Sequence, residues 1–275
     1  MSDRGRVVIV GAGGRMGKTL IRYLLQGSVP GLELAGAVDL WDCPDRDRDA
    51  GLASGVGEAG IVIGCDLARV VADADVLIDF SGSHGTAGNA PRYAEWGKPT
   101  VIGTTGIEED GRVALQAAAA RIPIVWAPNM SLGINLLLDL VRRTAETLRG
   151  RGYDIEIIER HHKHKKDAPS GTALALGRAA ADGMRWSLEE TAKHGREGLS
   201  KTDRPEAQIG FHAIRGGDFI GDHTVLFAAD GECVELKHRA TRRDTFALGA
   251  LQAAKWVIGR PAGLYGMRDV LGLNG

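Results

Sequence analysis

Cysteine is scarce in this chain. Cys43, Cys65 and Cys233 are its only three in 275 residues, they lie far apart, and no CxxC pair occurs. Neither a disulfide framework nor a cysteine zinc site is indicated, and the three are expected to be reduced thiols. Charge of one sign is also missing: 34 Lys and Arg against 35 Asp and Glu leave a formal net charge of −1. No overall field then draws the chain to nucleic acid or to an anionic membrane. Aromatic residues make up only 5%. Long hydrophobic runs are absent too, since Val7 to Val10 ends at Gly11, far short of a signal core or a bilayer span. No nucleic-acid or membrane partner is expected, and the expected location is cytoplasmic. What is there is 44% apolar residue in a chain of this length, enough for one large core or two modest ones.

The apolar pattern changes along the chain. Arg6 to Val10 reads as a buried strand, followed by glycines and then by Lys18 to Leu25 with helical spacing. Glu33 to Asp39, Val76 to Phe80, Thr100 to Ile102 and Ile122 to Ala127 continue as strands. Asp66 to Ala72, Ala87 to Trp96 and Glu109 to Arg121 between them are helix-like, the alternation of a doubly wound parallel sheet. After Asn129 a long apolar stripe over Leu132 to Leu148 predicts a helix leaving this first domain. Asp154 to Ile158 then alternates charged and apolar residues, and Thr224 to Ala228 with Cys233 to His238 flank the tight-turn signal Ala229-Asp230-Gly231. Glu232, Glu235, Lys237 and His238 read as a solvated sheet face. The last helical pattern, Phe246 to Ile258, is compatible with either half. The expected architecture is an α/β chain: residues 1–130 with 242–275 form a Rossmann-like nucleotide domain. Residues 131–241 form a smaller α+β domain, with a mixed, largely antiparallel sheet, for substrate binding and oligomerisation.

Two segments carry chemistry. Gly11-Ala12-Gly13-Gly14-Arg15-Met16-Gly17 follows a strand and opens a helix, where bare amides and the helix dipole can hold a pyrophosphate. Its spacing departs from GxGxxG, because the third glycine arrives one residue late. Asp39 lies at the end of the second expected strand, about 20 residues on, where a carboxylate binds a ribose diol. Leu40 and Trp41 follow it rather than a basic residue, so a 2′-phosphate would meet an unneutralised acid, and NADH is the expected cofactor. Arg46 and Arg48 lie close enough to leave NADPH possible. Gly103-Thr104-Thr105-Gly106 and Ala127-Pro128-Asn129-Met130 end later strands at the carboxyl edge of the sheet, where they would line the nicotinamide side.

The second segment runs from Glu159 through His161-His162-Lys163-His164-Lys165-Lys166 to Pro169-Ser170-Gly171-Thr172, and a strong helix former, Ala173 to Ala181, follows it. The amides of Gly171 and Thr172 would sit at a positive helix end suited to a carboxylate. A cationic strand end beside such a site implies a small substrate with more than one carboxylate. His161 is the natural proton donor, Lys165 supplies countercharge or a proton, and His162 binds substrate. His162 and His164 would share a strand face and could chelate together, yet no metal is expected, because no third ligand is apparent and the lysines would repel a cation. The cluster also lacks the interleaved aromatics of a nucleic-acid site.

These motifs, VxIVGAGGRMG, DFS at Asp79 to Ser81, GTTG, APNMSLGIN, ERHHKHKKDAPSGTAL, IRGGDFIGDHTVLF and MRDVLGL, resemble the 4-hydroxy-tetrahydrodipicolinate reductase (dihydrodipicolinate reductase) family of bacterial diaminopimelate and lysine biosynthesis. The resemblance runs nearly end to end. It implies reduction of an unsaturated cyclic dicarboxylate by NAD(P)H, with hydride going to ring C4. It implies His161 as proton donor and Lys165 as the second catalytic group, with His162, Gly171 and Thr172 on the substrate carboxylates. Gly11 to Met16, Asp39, Phe80, Gly103 to Thr105 and Ala127 to Met130 would frame the cofactor. It further implies two domains joined by hinges, a C-terminal helix that rejoins the first domain, and a homotetramer built through the sheets. Leu40 and Gly82 stand where many members carry arginine, in line with NADH. Two rival readings are a dinucleotide-dependent dehydrogenase of another acidic metabolite and a non-catalytic NADH sensor; His161 and Lys165 together count against the sensor.

Overall fold

The computed structural model describes residues 4–242 and 244–273, so the outer ends of the expected first domain and Arg243 lie outside the described residues. The strands are β1 (Gly5–Val10), β2 (Leu32–Val38), β3 (Ile63–Gly64), β4 (Val76–Asp79), β5 (Thr100–Ile102), β6 (Pro123–Trp126), β7 (Asp154–His161), β8 (Ala192–His194), β9 (Ile209–Arg215), β10 (Gly221–Ala229), β11 (Glu232–Ala240) and β12 (Gly263–Tyr265). The helices are α1 (Arg15–Leu25), α2 (Ala50–Ala53), α3 (Leu67–Val70), α4 (Ser83–Glu95), α5 (Glu109–Ala119), α6 (Leu132–Leu148), α7 (Gly171–Met184), α8 (Leu188–Thr191), α9 (Thr245–Val257) and α10 (Met267–Val270). They fall into two compact units, Met1–Leu132 with Asp244–Gly275, and Gly133–Arg243.

The first unit is a seven-stranded sheet in the order β12-β6-β5-β4-β1-β2-β3, parallel at every pairing. Its middle run 3-2-1-4-5-6 from β3 to β6 is the doubly wound order, which reverses direction between β1 and β4 and opens a crevice at their carboxyl ends. Strands covered on both faces need side chains that are apolar on both. In β1, Val7 and Ile9 enter one core layer with Leu20 of α1 and with Ala247, Ala250 and Leu251 of α9. Val8 and Val10 enter the other, with Tyr93 and Ala94 of α4 and Leu115 of α5. The last helix therefore belongs to the first unit. Gly17 explains the late third glycine: a Cβ there would stand 2.7 Å from the Ala12 Cα and would run into the Gly11 carbonyl. The residue lets α1 lie against the turn that precedes it.

The second unit is a five-stranded sheet, β11-β10-β7-β9-β8. It is mixed: β10 pairs antiparallel with β7 and β11, while β9 pairs parallel with β7 and β8. Its core gathers Ile155 and Ile157 of β7, Phe211 of β9, and Val225 and Phe227 of β10 against Leu137 and Val141 of α6 and Leu176 and Ala180 of α7. Asp230-Gly231 makes the two-residue hairpin turn, with φ +85° at Gly231. Strand β7 runs three residues past the expected Ile158, because β9 and β10 pair with it as far as His161 and Arg160 respectively. Strand alternation also corrects the expected solvated face of the hairpin. Glu235 and Lys237 are exposed, but His238 shares the opposite face with Leu236 and is half-buried, and that burial pulls its pKa below the usual histidine range. Among the described residues no helix is long and apolar enough to cross a membrane.

The packing at Gly17 is testable. Ala in place of Gly should gain about 1 kcal/mol of helix propensity, yet Gly17→Ala is expected to lower the unfolding free energy by about 1–3 kcal/mol, measured by denaturant unfolding.

Candidate active site

In the first unit the turn after β1 sits at the sheet's switch point. Gly11 has φ +85°, and a Cβ on it would lie 2.8 Å from the Phe80 carbonyl oxygen, so the turns after β1 and β4 can touch only through glycine. Gly14 precedes α1 with no side-chain cap, which leaves the first amides of an eleven-residue helix facing outward without a side-chain acceptor. Asp39 follows β2, and its carboxylate is held by two amides: Gly13 N–H donates to Oδ2 at 2.7 Å and Leu40 N–H to Oδ1 at 2.8 Å. Gly11, Gly13, Gly14 and Asp39 line one hollow. Arg46 is engaged elsewhere, on the Trp41 carbonyl at 2.5 Å and on Asp47 at 3.1 Å, and Arg48 pairs with Asp45. Leu40 and Trp41 are 63% and 73% exposed.

A second hollow of the same unit is lined by Met16, Phe80 and Gly103 to Thr105, with Pro128, Asn129 and Met130 beyond them and Phe246 from α9. Nearly all the predicted cofactor residues thus come to the carboxyl edge of one sheet. Ala12 and Ala127 are buried in the core and offer only backbone, while Arg15 is exposed and lines neither hollow. Sequence reasoning missed Phe246, which lies far along the chain with no pattern to mark it. It also gave no role to Asp79. That carboxyl is fully buried, taking Ser81 N–H and Ser81 Oγ on Oδ1, both at 2.7 Å, and the Tyr93 hydroxyl on Oδ2 at 2.8 Å. Burial raises its pKa, against the pull of these hydrogen bonds. The clamp fixes the turn that carries Phe80, and a Cβ on Gly103 would collide with the Phe80 ring.

In the second unit the site grows from alternation along β7. Its inward residues are Ile155, Ile157, Glu159 and His161, so the face that is apolar core at one end turns polar at the other. His223 of β10 stands opposite Glu159, and Arg215 of β9 stands opposite His161. Glu159 is 1% exposed, and both its oxygens are occupied. Oε2 meets His161 Nδ1 and accepts from Arg215 Nη1 at 2.9 Å. Oε1 accepts from Arg215 Nη2 at 2.7 Å and from Ser170 N–H at 3.0 Å. Burial alone would raise the Glu159 pKa, but the hydrogen bonds of His161, Arg215 and Ser170 outweigh it and hold the group at about 2.

Ser170 links this carboxylate to the helix. Its Oγ accepts the Ala173 amide at 3.2 Å as the N-cap of α7 and lies 3.2 Å from His223 Nε2. Gly171 and Thr172 form the first turn of that fourteen-residue helix, and Gly171 is exposed with open space beside its Cα. His223 is 3% exposed and its ring meets that of His161 edge-on with centroids 5.1 Å apart. Burial, reinforced by the His161 charge, lowers its pKa to about 4. His162 is held through its backbone amide on the Phe219 carbonyl at 2.8 Å. Lys165 pairs with Asp167 at 2.8 Å, which holds the Asp167 carboxyl below the usual range. All five predicted residues lie in the stretch from the end of β7, through the loop that carries Lys165, to the head of α7. Glu159, Arg215 and His223 were not assigned roles from the sequence. The one available signal was the i, i+2 spacing of Glu159 and His161, which puts both on one strand face.

The chain matches known proteins along its whole length. Residues 5–130 match the family described as dihydrodipicolinate reductase, N-terminus, and residues 133–271 match its C-terminus. The 4-hydroxy-tetrahydrodipicolinate reductase of Alkalilimnicola ehrlichii is 50% identical over 268 residues, covering 98% of this chain and 99% of that one. That of Acinetobacter baumannii is 46% identical over 274 residues, covering 100% and 98%. Among solved structures, a dipicolinate-bound dihydrodipicolinate reductase from Paenisporosarcina superposes with a TM-score of 0.74 at 23% identity, over 97% of this chain and 99% of that one. At that identity it speaks for the fold.

Among the shifted groups of the second unit, His223 and Glu159 each contribute to a pH dependence. Between pH 6.5 and about 4 the unfolded chain takes a proton on His223 that the folded chain refuses, so stability falls with pH across that window. Glu159 contributes stability that is complete above its ordinary value of 4.5 and is lost as pH falls toward about 2. Denaturant unfolding at a series of pH values should therefore show loss beginning near neutrality, and His223→Gln should remove the share lost between 6.5 and 4.

Proposed function

The chain belongs to the dihydrodipicolinate reductase family, and we propose here the residues by which it performs that family's reaction. It is an oxidoreductase of lysine and diaminopimelate biosynthesis, a 4-hydroxy-tetrahydrodipicolinate reductase that uses NAD(P)H on a dipicolinate-type dicarboxylate. The first unit is its dinucleotide-binding domain and the second its substrate-binding domain. The cradle free of Cβ atoms at Gly11, Gly13 and Gly14 fits a pyrophosphate approached by backbone amides. The Asp39 carboxylate, oriented by two amides, fits a ribose diol. Met16, Phe80, Gly103 to Thr105 and Pro128 to Met130 line the nicotinamide end, with Ala127 offering backbone behind them. When bound, the cofactor supplies the hydride that goes to ring C4.

The chain's own residues do the rest. Gly171 and Thr172 receive one substrate carboxylate at the head of α7, where the positive end of the helix dipole favours an anion. His162 holds the dicarboxylate from the other side. His161 gives a proton to the ring atom made basic by hydride addition. Lys165, leaving Asp167, supplies countercharge to the incoming acid. The single observation behind this assignment is that one buried carboxylate, Glu159, joins the His161 ring to the amide of Ser170 at the head of α7. Donor and anion site are thereby held as one piece. His161→Ala is expected to lower kcat by about 100- to 10,000-fold with little change in KM, because a proton donor acts in the transition state. Native turnover in that variant would remove the role. Thr172→Val should instead raise KM while leaving kcat close to native.

The preferred cofactor is NADH and no metal takes part. Support for NADH comes from Asp39 with Leu40 after it, from Gly82 beside Phe80, and from the commitment of Arg46 and Arg48 to Trp41, Asp47 and Asp45. A higher kcat/KM for NADH than for NADPH is the expected result, and the reverse order overturns the preference. The enzyme works in the cytoplasm as a homotetramer, for which the family resemblance and the exposed outer strand β11 are the support. Light scattering on the purified protein should return four times the 29.2 kDa chain mass.

A further inference from the structure

The donor assignment leaves open which nitrogen of His161 carries the transferred proton. A carboxylate offers about four acceptor sites, and the four on Glu159 are filled by His161 Nδ1, the two Arg215 nitrogens and the Ser170 amide. Glu159, His161 and His223 do bring three ligand atoms within 4.8 Å of one another. Yet the bidentate guanidinium of Arg215 already stands on the carboxylate such an ion would need. The cluster is therefore a hydrogen-bond network in which each charge has a partner.

We infer that Glu159, held ionised by Arg215, is a positioning residue for the reaction: it keeps the Nδ1 proton on His161 and leaves Nε2 as the atom that gains and loses the catalytic proton. An ionised carboxylate only accepts, so the imidazole nitrogen facing it must carry hydrogen whether the ring is neutral or charged. Nε2 lies on the far side of the ring, beside Gly221, where even a Cβ would stand 3.1 Å away. Glycine there preserves room beside the donating atom. His223 buttresses the ring edge-on and is tied through its own Nε2 to the Ser170 hydroxyl. The Ser170 amide carries the same constraint to the first turn of α7, so the tautomer of the donor and the placement of the anion site depend on one side chain. This inference rests on the reading of His161 as donor and adds to it the orienting group and the reacting atom.

Nitrogen-15 NMR of histidine-labelled native protein tests it directly. Neutral His161 should show a single Nδ1–H tautomer, and an Nε2–H tautomer overturns the inference without any variant. In Glu159→Gln the amide presents a donor to His161, so the neutral ring should shift toward Nε2–H. Its kcat should fall about 10- to 100-fold while KM for the dicarboxylate stays within about threefold. Because that change strands Arg215, the double variant Glu159→Gln, Arg215→Met removes both charges together and should show the same split between kcat and KM. An inactive His161→Ala beside a Glu159→Gln enzyme with native kcat and native tautomer overturns the positioning role alone. An active His161→Ala overturns the donor reading first.

Discussion

A carboxylate withdrawn from water must be paired with cations and donors or must give up its charge, and the second unit is arranged around one for which pairing prevails. Glu159 sits at the polar end of the inward face of β7, and three different elements supply its partners: Arg215 from β9, Ser170 from the head of α7, and His161 from its own strand. The three elements meet on this one side chain. The imidazole and the guanidinium keep the carboxylate ionised, and the amide contact ties both to the helix whose first turn is the proposed substrate-acid site. With the roles proposed for His161 and for the head of α7, this coupling would keep the donor aligned with the anion subsite.

The first unit uses a buried carboxyl differently. Among the described residues Asp79 makes no ion pair; it takes two hydrogen bonds from Ser81 and one from Tyr93, and burial drives its pKa up rather than down. Its role is to lock a turn. That turn brings the Phe80 backbone against Gly11 and the Phe80 ring against Gly103, so the three loops of the proposed cofactor site are registered on one another through glycines that make room for close approach. The same physical problem, a buried acid, is resolved as an ion-pair network where chemistry is needed and as a rigid hydrogen-bonded corner where a surface has to be shaped.

Much of this was legible in advance. The parallel strands of the first unit advertise themselves because burial on both faces demands consecutive apolar residues, and the glycine turn and Asp39 are local features with local reasons. The hairpin at Asp230-Gly231 and the helix opening at Ser170 are equally local. Harder to see were β3, β8 and β12, of two or three residues each, which exist as strands only because a neighbour supplies the hydrogen bonds. Gly216-Gly217 marks the end of Ile209–Arg215, but the segment becomes β9 through its pairing with β7.

Residue order along the chain was sufficient to establish the fold class and the family, and to single out the glycine turn and the run from His161 to Thr172 as candidates, because each depends on spacing within a few residues or on periodic burial. Folding in three dimensions was needed to place Arg215 and His223, which are 54 and 62 positions beyond His161 in the numbering, against the face of β7 that carries Glu159. No periodicity joins residues on separate strands; register does, and register is settled when the whole sheet buries its apolar face at once.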